Sequence, residues 1–187
     1  MAAEWSPDGI VKLLSVWLVA ISVVGFTFAG RYTVDELARP NPADAGRILA
    51  TGAWLVMVVA ALAAFTPHLD PPRSLPMRGL WVYAIWALLQ QFLLQSFFYV
   101  RLEALTERRW AVPVCAALFA AAHAPNPILT PATFVGALFF TGLFRRYRTI
   151  YPLAAVHAAL GVTIAATFSD HLLRHMRVGL GYLTFHP

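Results

Sequence analysis

Three glutamines lie close together within a long apolar stretch, WALLQQFLLQSFFYVR: Gln90, Gln91 and Gln95. A primary amide buried in hydrocarbon without a hydrogen-bonding partner costs about 2–7 kcal/mol. Three such groups so close together are therefore not expected to face lipid. We expect them to point inward, where an amide can position water, donate to an oxyanion or bind a polar group on another helix.

Two histidines in later apolar runs are the expected partners. Measured from the arginine-rich ends of their segments at 1.5 Å per residue, Gln90, His123 and His157 lie about 16, 20 and 9 Å deep. Polar groups at such depth are rare and usually mark a functional site. Structural alternatives stay open: the glutamines could only join helices, His123 could end a helix, and His157, among alanines, could serve close packing.

Metal and pigment binding are weaker alternatives. His171 and His175 are four residues apart, a spacing that can present two imidazoles to one metal ion, but no third ligand is evident. They also suit an interfacial helix whose long side chains reach toward water. His123 or His157 could ligate haem or a chlorin, yet no second signature accompanies them. We therefore predict no cofactor.

An acid that could take part in catalysis is not evident near the glutamines. Glu103 and Glu107 follow Gln95 by eight residues or more, about 12 Å along a helix. We expect both to form local ion pairs with the arginines around them, Arg101, Arg108 and Arg109.

The composition predicts an integral membrane protein. Of the 187 residues, 59% are hydrophobic and 12% are charged, which a soluble chain of this size could not bury. The net charge of +5 does not indicate nucleic-acid binding, because the arginines lie in short clusters between apolar runs. Cytoplasmic loops and lipid headgroups account for such clusters.

The pattern predicts an all-α fold, a polytopic bundle of about six transmembrane helices. Two N-terminal helices with their loops occupy residues 1–79, four helices occupy 80–168, and an interfacial tail occupies 169–187. The six segments are Ile10–Ala29, Ile48–Phe65, Leu80–Val100, Trp110–Ala124, Ile128–Phe144 and Tyr151–Phe168. Nine basic residues on one side against five on the other favour both termini outside the cytoplasm. We expect a multi-pass protein of a bacterial inner membrane.

Three short motifs in order resemble the CPBP family, the CAAX-prenyl-protease and bacteriocin-processing intramembrane proteases. In QQFLLQ, Gln90 and Gln91 occupy the positions of two family glutamates, and Gln95 that of an arginine. FAAAH is intact and contains Phe119 and His123. In HAALG, His157 is kept and Gly161 stands where the family has asparagine. The resemblance covers roughly residues 80–168, and the resulting site lies near Asn126 and Gly161.

The resemblance implies an intramembrane endopeptidase in which a glutamate activates water, and in which the histidines and the asparagine stabilise an oxyanion. A glutamine amide is not basic and cannot take the proton of water. We therefore predict a proteolytically degenerate relative that binds a membrane-protein, lipid or pigment partner. The alternative is an active hydrolase that uses His123 and His157, with the glutamines positioning water. Lipids are the expected surroundings, and a prenylated peptide is a candidate ligand.

Overall fold

The computed structural model describes residue 25 and residues 41–65, 77–173 and 176–184. All regular structure in these ranges is helical, as the sequence predicts. The first predicted span apart from residue 25, the proline-rich loop at 66–76, His175 and the side chain of His171 lie outside the description. The helices are α1 Pro42–Ala64, α2 Met77–Gln91, a π-helical segment Phe92–Tyr99, α3 Val100–Leu105, α4 Arg108–Ala121, α5 Leu129–Tyr147, α6 Tyr151–Thr167, α7 Asp170–Leu173 and α8 Leu180–Leu183.

Two of the described helices are long and apolar enough to cross a membrane. They are Pro42–Ala64 and the continuous helical stretch Gly79–Leu105. The apolar helix Tyr151–Thr167 has 17 residues and is shorter. Within the described residues, the count of six spans is therefore not confirmed.

Helix α1 begins six residues earlier than the predicted second segment. Asn41 precedes the helix, and its Oδ1 accepts a hydrogen bond from the backbone N of Ala43 at 3.1 Å. Pro42 follows at the first helical position, where its missing N–H leaves no donor unpaired. This capping pair extends the helix beyond the apolar run from which the segment was predicted.

Helix α6 packs against both α1 and α2, and two glycines allow the close approach. A Cβ atom on Gly52 of α1 would overlap the side chain of Val156. A Cβ atom on Gly161 of α6 would overlap the Tyr83 phenol of α2. The buried core beside these contacts includes Ile48, Leu94, Phe144, Leu153 and Leu160.

The helix that carries the glutamines widens into a π-helix just beyond Gln91. Across the wide turns, the Val100 N–H donates to the carbonyl of Gln95, five residues back. Two side chains bond further carbonyls of this segment: Arg101 donates to Phe97 O at 2.8 Å, and Cys115 Sγ donates to Leu94 O at 3.3 Å. Such wide turns are uncommon and occur frequently at functional sites.

Glu103 joins two distant parts of the chain. Its carboxylate accepts from Arg148 Nη2 at 2.6 and 2.8 Å and from the hydroxyl of the fully buried Tyr99 at 2.7 Å. Our expectation of a local ion pair is wrong for Glu103, because Arg148 ends α5 in a left-handed conformation (φ 51°) beside this carboxylate. Glu107 does pair locally, with Arg109 at 2.8 Å.

We predict that Gly52→Ala lowers the free energy of unfolding by about 1–3 kcal/mol, because the added methyl group overpacks the α1–α6 contact. Val156 is β-branched and has little rotamer freedom with which to make room. Thermal unfolding of the detergent-solubilised protein measures the effect. Gly46→Ala, on the same helix with nothing near its Cβ position, is the matched control and should not destabilise the protein. Equal effects of both variants would contradict the packing argument.

A second prediction concerns Glu103→Gln, which weakens the contacts with Arg148 and Tyr99. We expect a loss of about 1.5–3 kcal/mol, the usual contribution of hydrogen bonds to charged groups. Glu107→Gln, at a pair with side-chain exposures of 68% and 73%, should change the stability by less than about 1 kcal/mol. Chemical denaturation of both variants gives the comparison. Equal losses in the free energy of unfolding would show that the Glu103–Arg148 contact between α3 and the end of α5 stabilises the protein no more than an exposed ion pair does.

Candidate functional site

Gln91, Gln95 and His157 form one chain of hydrogen bonds between two helices. Gln95 Nε2 donates to Gln91 Oε1 at 3.1 Å, and Gln91 Nε2 donates to His157 Nδ1 at 3.1 Å. Both glutamine side chains are fully buried, and His157 is half-buried. The structure therefore brings together three of the five residues that the sequence singled out, and the interhelical partner of the glutamines is a histidine.

The direction of this chain defines the state of His157. Because Nδ1 accepts the hydrogen bond from Gln91, the neutral imidazole carries its proton on Nε2 and can donate it to a ligand. The ring stacks on Phe140 with a centroid distance of 5.3 Å, which fixes its plane. At the other end of the chain, the buried Gln95 Oε1 accepts no hydrogen bond from any described residue.

The hydrogen bond of His123 places a proton on Nδ1, the ring nitrogen that acts as acceptor in His157. His123 follows α4, and its Nδ1 donates to the carbonyl of Phe119 at 2.7 Å. The ring also contacts the Phe119 ring, with centroids 4.7 Å apart. Since Nδ1 carries the proton, the Nε2 lone pair of the neutral imidazole can accept one.

Gln90 takes no part in the chain of hydrogen bonds. It is half-buried and makes no hydrogen bond within the part of the protein that the structure describes. On an α-helix it is rotated by about 100° from Gln91, so the two amides cannot point at the same neighbour. Of the two positions that resemble catalytic glutamates, only that of Gln91 is hydrogen-bonded to a histidine among the described residues.

Asn126 is occupied by structural contacts rather than by the site. Its Oδ1 accepts from the backbone N–H groups of Ile128 and Leu129, and its Nδ2 donates to the carbonyls of Leu173 and Arg177. The side chain is fully buried and its amide is fully used. The C-terminal segment is thereby fixed to the turn that follows His123, and Gly179 N adds a bond to Ala124 O at 2.8 Å.

Sequence reasoning did not identify Tyr83 as a neighbour of the site. Its phenol lies against Gly161, one helical turn after His157 on α6. A tyrosine in an apolar helix is most often a core residue, so Tyr83 itself did not stand out. The glycine at position 161 was the one feature of the sequence that indicated a close approach to α6.

A metal centre has no set of three ligands in the described ranges. No group of three or more His, Cys, Asp or Glu side chains there could hold a metal ion. Of the two residues proposed for a metal pair, His175 and the side chain of His171 are not described. The pigment alternative for His123 and His157 stays a prediction.

A comparison with models of known protein families places this chain in a family. A family model described as type II CAAX prenyl endopeptidase Rce1-like matches residues 53–163, which is more than half of the chain. All three motifs named above lie within the matched residues, and the match confirms the resemblance that they carry. No curated protein and no solved structure matches the chain.

We predict that Gln91→Leu destabilises the protein more than Gln95→Leu. The first change leaves Gln95 Nε2 and His157 Nδ1 without their partners, at a cost of about 1–3 kcal/mol for each buried group left unpaired. The second leaves only Gln91 Oε1 unpaired and removes an oxygen that already lacked a partner. Thermal unfolding of the two matched variants measures the order. The reverse order would contradict the hydrogen-bond chain described here.

Proposed function

We propose that this chain, which belongs to the type II CAAX prenyl endopeptidase Rce1-like family, binds a peptide segment of a membrane-associated partner without hydrolysing it. The chain would act as an assembly or interaction subunit. The family name indicates prenylated CAAX sequences as the first ligands to test.

The observation that carries this proposal is the neutrality of the Gln95–Gln91–His157 chain. Hydrolysis of a peptide bond by general-base catalysis needs a group that accepts a proton from water, and an amide does not do so. Among the described residues, the nearest acid in sequence to the glutamines is Glu103, which is engaged by Arg148 and Tyr99. Within the described ranges, the hydrogen-bond chain at the buried centre of the site therefore contains no carboxylate.

The hydrogen bonds made by the two Nδ1 atoms leave His157 and His123 with Nε2 atoms that suit a peptide group. A peptide group presents one donor, its N–H, and one acceptor, its carbonyl. His157 offers a donor at Nε2, and His123 offers an acceptor at Nε2. A neutral site with these two properties can bind a peptide segment without leaving a charge buried.

The membrane setting is supported by the family and by the helix surfaces. The family is membrane-embedded, and two of the described helices are long and apolar enough to span a membrane. Large apolar side chains such as Trp54, Trp81 and Ile85 are 61–68% exposed on α1 and α2 and would contact lipid. We propose a multi-pass arrangement in a bacterial inner membrane, with lipids around these faces.

One observation favours a second candidate, an active hydrolase. Because His123 Nδ1 donates to Phe119 O, its Nε2 lone pair is available to take a proton from water. In this alternative, His157 Nε2 would donate to the developing oxyanion.

Binding and cleavage of a farnesylated, fluorescent peptide ending in a CAAX sequence separate the two candidates. We expect the full-length protein in lipid nanodiscs to bind the peptide and to release no C-terminal tripeptide, because the described part of the site offers amides and imidazoles where a general base would need a carboxylate. Fluorescence anisotropy measures the dissociation constant, and mass spectrometry measures cleavage. His157→Ala should weaken binding about tenfold, since it removes a hydrogen-bond donor and a stacked ring.

The control is Val135→Ala, an exposed position on α5, which should leave binding unchanged. Tripeptide release that disappears in the His123→Ala and His157→Ala variants would overturn the proposal in favour of the hydrolase. Absence of binding, or binding that does not depend on His157, would overturn both the ligand class and the site.

A further inference from the structure

The Tyr83 hydroxyl lies at the surface of α6 because Gly161 has no side chain. The position that a Cβ atom of Gly161 would take overlaps the hydroxyl oxygen and two ring carbons of Tyr83. Any other residue at 161 would push the phenol away. The pair therefore places a hydroxyl group directly against the backbone of the helix that carries His157.

This hydroxyl has no partner in the described part of the protein. Tyr83 is half-buried, and its hydroxyl makes no hydrogen bond to any described residue. A tyrosine hydroxyl usually finds a partner when it is buried. The fully buried Tyr99, in the π-helical segment that continues α2, donates to Glu103 at 2.7 Å. Within the described residues, Tyr83 thus differs from Tyr99 in having a hydroxyl donor that is not used.

The hydroxyl continues the row of polar groups between α2 and α6. Gln91 and Tyr83 lie on one helix, and their contacts on the other helix, His157 and Gly161, are four residues apart. Four residues of α-helix rise about 6 Å. In an extended peptide, groups on the same side recur every two residues, about 6.6 Å apart. Along α6, the backbone positions beside these two groups are thus spaced close to the repeat of an extended chain that follows this helix.

We propose that Tyr83 is a second binding residue of the site and donates a hydrogen bond to a carbonyl of an extended peptide ligand. That carbonyl belongs to a residue two positions from the peptide group bound at His157. This inference rests on the proposed peptide-binding function. It adds that the peptide is extended and that Tyr83 binds one of its carbonyls. A ligand of one or two residues would reach only one of the two positions.

Tyr83→Phe tests the inference, because it keeps the ring against Gly161 and removes only the hydroxyl. We expect unchanged thermal stability and about threefold to tenfold weaker binding of the farnesylated CAAX peptide in nanodiscs. Tyr151→Phe, at a half-exposed tyrosine at the start of α6, is the matched control and should not alter binding. Two series of peptides shortened from either end should show the Tyr83→Phe effect disappearing at one length, while the His157→Ala effect persists.

The outcomes separate this inference from the function on which it rests. Binding that depends on His157 but is the same for Tyr83→Phe and the unmodified protein overturns the role of Tyr83 and leaves the proposed function standing. A Tyr83→Phe effect that is equal for every peptide length overturns the extended-chain geometry. Absence of His157-dependent binding overturns the proposed function itself.

Discussion

The burial of two primary amides is the constraint on which the rest of the structure depends. Gln91 and Gln95 have no exposed surface, and their hydrogen-bonding groups must find partners inside the protein. The chain through His157 meets most of this demand and fixes how α2 and α6 are rotated toward each other. Hydrogen bonds are directional, so this contact specifies an alignment that apolar packing alone would leave loose.

The features that could be predicted from the sequence are those whose absence would cost the most free energy. An amide in an apolar segment is costly in any fold, so the inward orientation of Gln91 and Gln95 and their contact with a histidine could be expected. Helix positions also followed, because apolar runs bounded by prolines and arginines are local signals. The local pattern did not tell Gln90 from Gln91, since the two differ only in rotation about the helix.

What the sequence did not reveal depends on contacts between distant residues. Glu103 meets Arg148, and Asn126 meets Leu173 and Arg177, 45 to 51 residues away. Nothing local marks such pairs, because several arginines and carbonyls were equally available. The Tyr83–Gly161 contact is of the same kind. The π-helical segment likewise has no clear local signature, since its wide turns depend on what packs around them.

The π-helical segment also sets the rotation of one end of its helix relative to the other about the helix axis. On one side of it Gln91 faces His157, and on the other side Glu103 meets Arg148. Each of these wide turns closes its hydrogen bond over five residues instead of the four of an α-helix. The number of residues between Phe92 and Tyr99 therefore sets how far the Glu103 end is rotated relative to the Gln91 end. The length of the segment is thus itself part of the site's specification.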